Sequence, residues 1–521
     1  MAQPVTDYDD IQGILSSGFG RLEEACFLLL RVADQTEAKA WLAAVVEEHG
    51  DEKLPYRVTH AGHLESYQKQ ALQIAFTAQG LRKLGLTDDL IGAFSREFRL
   101  GMAAAEPDAE GRSRRLGDIG ENAPSNWAWG TPVQTPDVMV MLYAEASGLA
   151  AFQQMVMEDL APGFEVILVL GTTKAAAKGK TRREPFGFVD GISQPEIDWD
   201  ARREPGTSAD LEYGNLITAG EFLLGYQNEY GLYTQRPLLD PTQDLENILA
   251  PAEDDPCKHD LGRNGTYLVF RQLEQDVYGF RRFVSAVSPT DDGIGLAEAM
   301  VGRRLETGDP LFAASQADIR GVTGYACDIR RNGFTFDADP DGLGCPFGAH
   351  IRRANPRTSD LPGGRQGFLS WALRTLGLKH GGPREDLLSS SRFHRIVRRG
   401  RPYGAVTRWE STLQNEAPGS TSGIYFISLN ANIARQFEFI QNAWIVNPNF
   451  NGLDGESDPL LGTRVPTPGG RRTDGFSLPR PSGRNRRIAG LPQFVTVRGG
   501  AYFFLPSLRA LRFFARLEVN G

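Results

Sequence analysis

Apolar residues in the first third of the chain fall into short runs of strand length alternating with segments of helical spacing. Residues 25–32, Ala-Cys-Phe-Leu-Leu-Leu-Arg-Val, form one such run, and apolar positions over 38–46 then recur with helical spacing behind Thr36, a suitable N-cap. A second strand is predicted at 72–77. Helical periodicity follows at 79–86 and 88–100, and then a Gly-, Pro-, Asn- and Ser-rich loop over 106–136. The order strand, helix, strand returns at 138–143, 148–160 and 164–170. Two βαβ-type units in succession predict an α+β fold, a split ferredoxin-like sandwich with helices on one face of an antiparallel sheet.

Residues 172–262 break this rhythm. They are turn-rich, as expected of a loop that surrounds a site rather than links two bodies. A second set of elements is predicted beyond them: strand 266–271, helix 276–304, strand 423–429, helix 433–445 and strand 494–505. Element order recurs between the two sets without a clear residue-level repeat. Residues 462–490 hold seven arginines among Gly, Pro and Ser and read as a solvated surface loop.

At 521 residues the chain is too long for one ordinary core, so two halves are expected. A hydrophobic share of 41% and a charged share of 23% exclude a disordered or collagen-like chain. The net charge of −9 gives no electrostatic reason to expect nucleic acid or a membrane surface as partner. Cys26, Cys257, Cys327 and Cys345 are scattered, with no CxxC pair and no CxxCH, so reduced thiols are expected and any haem is expected to be bound non-covalently. The first ten residues are polar and acidic, and no apolar stretch approaches the ~20 residues that span a bilayer. A cytoplasmic location is the resulting expectation.

Three segments carry candidate chemistry. Gly187-Phe188-Val189-Asp190-Gly191 sets one carboxylate between glycines, and its aromatic flanks predict a carboxylate buried beside a cofactor and able to move a proton. Cys345-Pro346-Phe347-Gly348-Ala349-His350-Ile351-Arg352 places a histidine after small residues that let a flat macrocycle approach, with Arg352 and Arg353 available to face its propionates. In Arg398-Arg399-Gly400-Arg401-Pro402-Tyr403-Gly404 a turn can aim Arg398 inward, where a permanent cation answers the negative charge that builds on a departing peroxide oxygen. The other histidines, His49, His60, His63, His259, His380 and His394, lie in polar or charged contexts, and His60 and His63 lack the carboxylates or thiols of a zinc set.

Together these segments resemble the dye-decolorizing peroxidases, larger bacterial and fungal-like members included. The likeness extends over nearly the whole chain, through Asn264–Arg271, Gln436–Trp444, Asp458-Pro459-Leu460-Leu461-Gly462 and Val495–Phe504. The resemblance implies two ferredoxin-like halves, 1–218 with the Asp190 segment and 219–521 binding haem b and its iron non-covalently. It implies His350 as the iron ligand, Asp190 as distal acid/base, Arg398 as distal cation, and Ile424 and Phe426 as apolar pocket walls. Glu438 is then the expected acceptor for the second ring nitrogen of His350. Some bacterial members have an asparagine two residues after the arginine, where this chain has Gly400. The implied activity is reduction of hydrogen peroxide with oxidation of bulky dyes or phenolics, Trp127, Trp129, Trp371 and Trp409 being candidate electron relays. The alternative is a haem carrier or sensor without turnover, which would not need Asp190 and Arg398. The sequence leaves homo-oligomerisation open.

Overall fold

The computed structural model describes residues 6–46, 54–62, 68–105, 107–173, 182–203, 205, 214–312, 331–357, 391–405, 409, 421–464 and 472–517. His49, His63, Cys327, Trp371 and His380 lie outside the described residues. Nine strands make one antiparallel sheet: β1 (Glu24–Val32), β2 (Gln70–Phe76), β3 (Val138–Ala144), β4 (Phe164–Gly171), β5 (Thr266–Gln275), β6 (Val397–Arg398), β7 (Arg401–Tyr403), β8 (Gly423–Asn430) and β9 (Val495–Leu505). Their order across the sheet is β6-β8-β5-β9-β2-β3-β1-β4, with β7 also on β8.

The recurrence hinted at by element order is explicit here. Numbering strands within each half, the first half runs 4-1-3-2 as β4-β1-β3-β2, and the second runs 4-1-3-2 as β9-β5-β8 followed by β6 and β7. The halves join where β9 meets β2, through the single register pair Phe504↔Phe76. The fold is thus α+β and ferredoxin-like in both halves.

The unbroken apolar run of β1 has a direct cause. Cys26, Leu28 and Leu30 point into a core shared with the helices Gln35–Val46 and Leu149–Leu160, whereas Ala25, Phe27 and Leu29 face a second core built with Ile11, Ile14 and Phe222. Both faces are buried, so strict alternation of apolar and polar residues is lost. Each large side chain buried in this way contributes roughly 1.5–3 kcal/mol. A third core holds Val277, Phe280, Val284 and Met300 against Phe186 and Phe188.

Local departures from the sequence expectations have local reasons. The first helix begins at Gln35, and Asp34 rather than Thr36 accepts the first free N–H, that of Glu37 at 3.0 Å. The expected helix 276–304 is two, Val277–Val287 and Ile294–Val301, because Pro289 and the positive-φ Gly293 interrupt it. The expected loop 106–136 contains the helix Ala109–Leu116, which has almost no apolar stripe and buries Arg112 instead. Over Ala434–Ile445 the helix is wound wide, with Glu438 N–H bonded to Ile433 O and Val446 N–H to Gln441 O. Strands β6 and β7 are too short to show a period. Among the described residues no helix is long and apolar enough to cross a membrane.

Candidate active site

Beside the second half of the sheet lies a cleft of about 300 Å³, within the roughly 300–1,000 Å³ of small-molecule and cofactor sites. Its walls come from the loop after Phe186, the helix Ile294–Val301, the short helix His350–Ala354, β8 and the wide helix. Most lining side chains are apolar, among them Phe188, Ile192, Ile424, Phe426, Phe437 and Leu461. His350, Asp190 and Arg398, far apart in sequence, all line it.

His350 opens its helix and is 24% exposed, with Nδ1 2.9 Å from Oδ2 of the fully buried Asp458. Because a carboxylate only accepts, Nδ1 carries the proton and Nε2 keeps its lone pair for a ligand. Asp458 is itself held by N–H donation from Leu460 and Leu461, at 2.9 and 2.8 Å. Burial works to raise its pKa, but the charge and hydrogen bond of His350, the Leu461 N–H and Arg353 outweigh it and hold the carboxyl below its ordinary value. It therefore stays anionic beside the ring.

Two expectations are overturned here. Glu438 does not meet His350: it is buried among Arg112, Arg115 and Tyr502, whose O–H donates to it at 2.9 Å, and it fastens the helix Ala109–Leu116 to the second half. The wide winding of its own helix aims it there. Arg352 does not face the cleft either. It is 1% exposed, donates to Asp339 and to Cys345 O, and lies over the rings of Phe336 and Phe347. Arg353 is spent on the carbonyls of Trp444, Asn447 and Glu456. Two buried cations do line the cleft, Arg303 and Arg395; Arg303 donates to Gly308 O, Arg331 O and Ser193 Oγ and has no carboxylate at ion-pair distance among the described residues. Burial, with Arg357 and Arg398 nearby, pushes the pKa of Arg303 down to about 9. An anionic group in the cleft would relieve that strain.

Asp190 is 41% exposed to the cleft rather than buried, because its aromatic neighbours Phe186 and Phe188 turn into the third core. Its Oδ1 accepts from Gly191 N–H at 2.6 Å and lies 3.7 Å from Nη1 of Arg398. Among the described residues no hydrogen bond reaches Oδ2. Arg398 donates from Nη2 to Ser193 O at 3.1 Å. Gln194 bonds both the N–H and the carbonyl of Arg398, each at 3.0 Å, and so ties the loop after Asp190 to β6.

Neighbouring arginines are directed elsewhere. Arg399 donates to Ile14 O and Leu15 O, and Arg401 to Leu22 O and Phe19 O, both on the opposite side of the sheet edge. Gly400 lines the cleft, and a Cβ there would come within 2.7 Å of Tyr425 O, so packing explains the absence of a side chain at this position. Ile424 and Phe426, two apart on β8, share one face and both line the cleft. His394 also lines it, but its ring is stacked on Phe439 with centroids 3.7 Å apart and Nδ1 is bonded to Arg435 O. Trp127, Trp129 and Trp409 are buried at 5, 1 and 7% exposure, which suits packing rather than contact with a donor.

One histidine with an anionic partner suits an iron whose other ligands come with a macrocycle, and the apolar walls, with Arg303 lacking a carboxylate partner among the described residues, suit a flat apolar ring carrying acid groups. The residues present fit haem. Asp458 was legible only as part of the Asp-Pro-Leu-Leu-Gly stretch, and Arg303 and Gln194 gave no signal in the sequence.

No family model matches the sequence. The chain is 30% identical over 470 residues to the multifunctional dye peroxidase DyP2 of an Amycolatopsis species, covering 85% of this chain and 81% of that protein. It is 27% identical to dye-decolorizing peroxidase msp1 of Mycetinis scorodonius, over 96% and 86% of the two chains. A solved dye-decolorizing peroxidase in complex with 2,6-dimethoxyphenol superposes with a TM-score of 0.68 at 23% identity, over 98% of this chain and all of the other. On this identity, sustained over most of both chains and joined to a shared architecture, the chain belongs to the dye-decolorizing peroxidase family.

Proposed function

We propose that this chain binds haem b non-covalently through His350 and reduces hydrogen peroxide at the expense of bulky organic donors, dyes and phenolics among them. The observation that carries this reading is the convergence on one cleft of a His350–Asp458 pair and an Asp190–Arg398 pair. Haem, when bound, supplies the redox equivalents for the reduction of peroxide and for the one-electron oxidations that follow.

The chain's own residues supply the rest. Nε2 of His350 would hold the iron, and the negative charge of Asp458 on the far side of the ring would make it a more electron-rich donor. Arg303 offers its cation to an acid group of the macrocycle, while Ile424 and Phe426 hold the distal space narrow and apolar. Asp190 takes a proton from one peroxide oxygen on Oδ2 and returns it to the other, so that the departing oxygen leaves as water. Arg398 stabilises the negative charge on that oxygen as the O–O bond breaks. Bulky donors would then be oxidised at the mouth of the cleft rather than inside it; a solved relative was obtained in complex with 2,6-dimethoxyphenol. With the halves divided at 218/219, Asp190 belongs to the first and His350 to the second.

Absorption spectra of the purified protein before and after one equivalent of hydrogen peroxide test the reading. A histidine-ligated ferric spectrum that changes at once with peroxide and returns on addition of a phenol is expected, and His350→Ala should lose most of the bound haem. A spectrum indifferent to peroxide would favour a carrier, and unchanged haem content in His350→Ala would place the ligand elsewhere.

A further inference from the structure

The cleft wall contains a second carboxylate, Glu184, that neither pair described above uses. It sits at the base of a hairpin whose far strand ends in Asp190. Gly187 N–H donates to Glu184 O at 2.8 Å and Glu184 N–H to Phe188 O at 3.0 Å, closing a tight turn over Pro185 with Gly187 at φ 99°. Such a turn leaves the N–H groups of Phe186 and Phe188 without main-chain partners. Both donate to the Glu184 side chain instead, Phe186 to Oε2 at 2.9 Å and Phe188 to Oε1 at 2.8 Å.

Gln275, the last residue of β5, donates to Oε2 at 2.8 Å and anchors the carboxylate to the sheet. On the outer side Arg183 donates to Gly187 O, Leu305 O and Glu306 O. Beyond the turn Arg183 and Val189 pair, and Asp190 N–H reaches Arg182 O at 3.3 Å. Glu184 therefore closes the turn with its main chain, fills its interior with its side chain and fixes it to the central sheet. Asp190, by contrast, is held among the described residues only by its own loop and a 3.7 Å approach to Arg398. A side chain so exposed keeps its place only if the backbone beneath it does.

We propose that Glu184 is the positioning residue for Asp190: by holding the Phe186 and Phe188 N–H groups it sets where the Asp190 carboxylate stands in the cleft. This rests on the reading of Asp190 as the proton carrier. Rates of peroxide activation are sensitive to such placement, a 1 Å displacement costing on the order of 10².

Three variants of the haem-loaded enzyme test it: Glu184→Ala, Glu184→Gln and Glu184→Ala combined with Asp190→Asn. Glu184→Ala should retain haem but react with peroxide about 10²-fold more slowly, and amide hydrogen exchange should speed up in residues 184–192 with little change elsewhere. Glu184→Gln, which keeps one oxygen acceptor, should recover part of both losses. The double variant should be no slower than Asp190→Asn alone, since the two residues act on one step. Wild-type exchange in 184–192, a wild-type rate in Glu184→Ala, or losses that multiply in the double variant would overturn the proposal. Asp190→Asn reacting as fast as wild type would instead remove the reading of Asp190 on which it stands.

Discussion

The two charged pairs of the cleft are built in opposite ways. His350 and Asp458 meet at 2.9 Å, with the carboxylate wholly enclosed and every oxygen satisfied by the ring or by backbone N–H groups. Asp190 and Arg398 stand 3.7 Å apart, 41 and 32% exposed, with Oδ2 of the aspartate free of partners among the described residues. A group that must hold an iron in one oxidation-dependent environment gains from fixed geometry and low dielectric. A group that must take up and release a proton in each cycle gains from access and from an unspent hydrogen-bonding site. On the proposed function, the difference between the walls is a difference between holding and moving.

The largest effect is expected on the open wall. Arg398→Leu should slow the reaction with peroxide by about 10²–10³, the loss typical of a group that stabilises transition-state charge, while haem content stays near wild type. Stopped-flow absorbance reads both. Arg399→Leu is the mirror case, since its guanidinium serves Ile14 O and Leu15 O. It should cost stability and leave the peroxide step intact, and the reverse result would exchange the two arginines.

On the closed wall, Asp458→Asn should weaken iron binding or activity by about 10–100-fold and raise the iron reduction potential, because the ring loses its anionic partner. Glu438→Gln should lower the melting temperature by breaking the Arg112 and Arg115 contacts, yet leave the potential unchanged. A potential that follows Glu438 and ignores Asp458 would reverse the assignment made from the hydrogen bonds.

The smallest effect concerns pH and the stability of the fold. Burial pushes Glu184 up to about 7 and Asp118 up to about 6. Their unfolded values lie near 4, so between about pH 4 and 7 the folded state holds more protons than the unfolded state, and on their account stability falls as pH rises through that window. Asp458, held down, acts with the opposite sign: its contribution is present above the ordinary carboxylate value and is lost as pH falls through its lowered one. Maximum stability is thus expected on the acid side of neutrality. Melting temperatures across the window should decline with pH in the wild type and decline less in Glu184→Gln. An equal slope in both would remove Glu184 from this account.

Which parts of the molecule could be read from the chain follows from the range of the forces involved. Strands β1, β3 and β4 and the helices between them were legible because burial of one whole element leaves a periodic apolar trace, and turn residues mark its ends. The helix Ala109–Leu116 was not, since its place is set by Arg112 reaching Glu438 across 326 positions of sequence. His350, Asp190 and Arg398 could be picked out from their glycine and small-residue surroundings. Their partners could not: Asp458 is 108 residues from His350, and Glu438, also distant from it in sequence, is turned away on a helix wound with i to i−5 bonds.

By itself the sequence determined the residue types that can ligate, move protons and stabilise charge, and the alternation of elements that makes two ferredoxin-like halves. Only the tertiary structure decided which carboxylate backs the histidine, and that Arg352 packs between phenylalanines while Arg303 lines the site. Periodicity and turns are local consequences of backbone geometry, written into neighbouring residues. The aim of a long charged side chain is fixed by whichever distant carbonyl or carboxylate it finds when the sheet closes, and no neighbour in sequence records that.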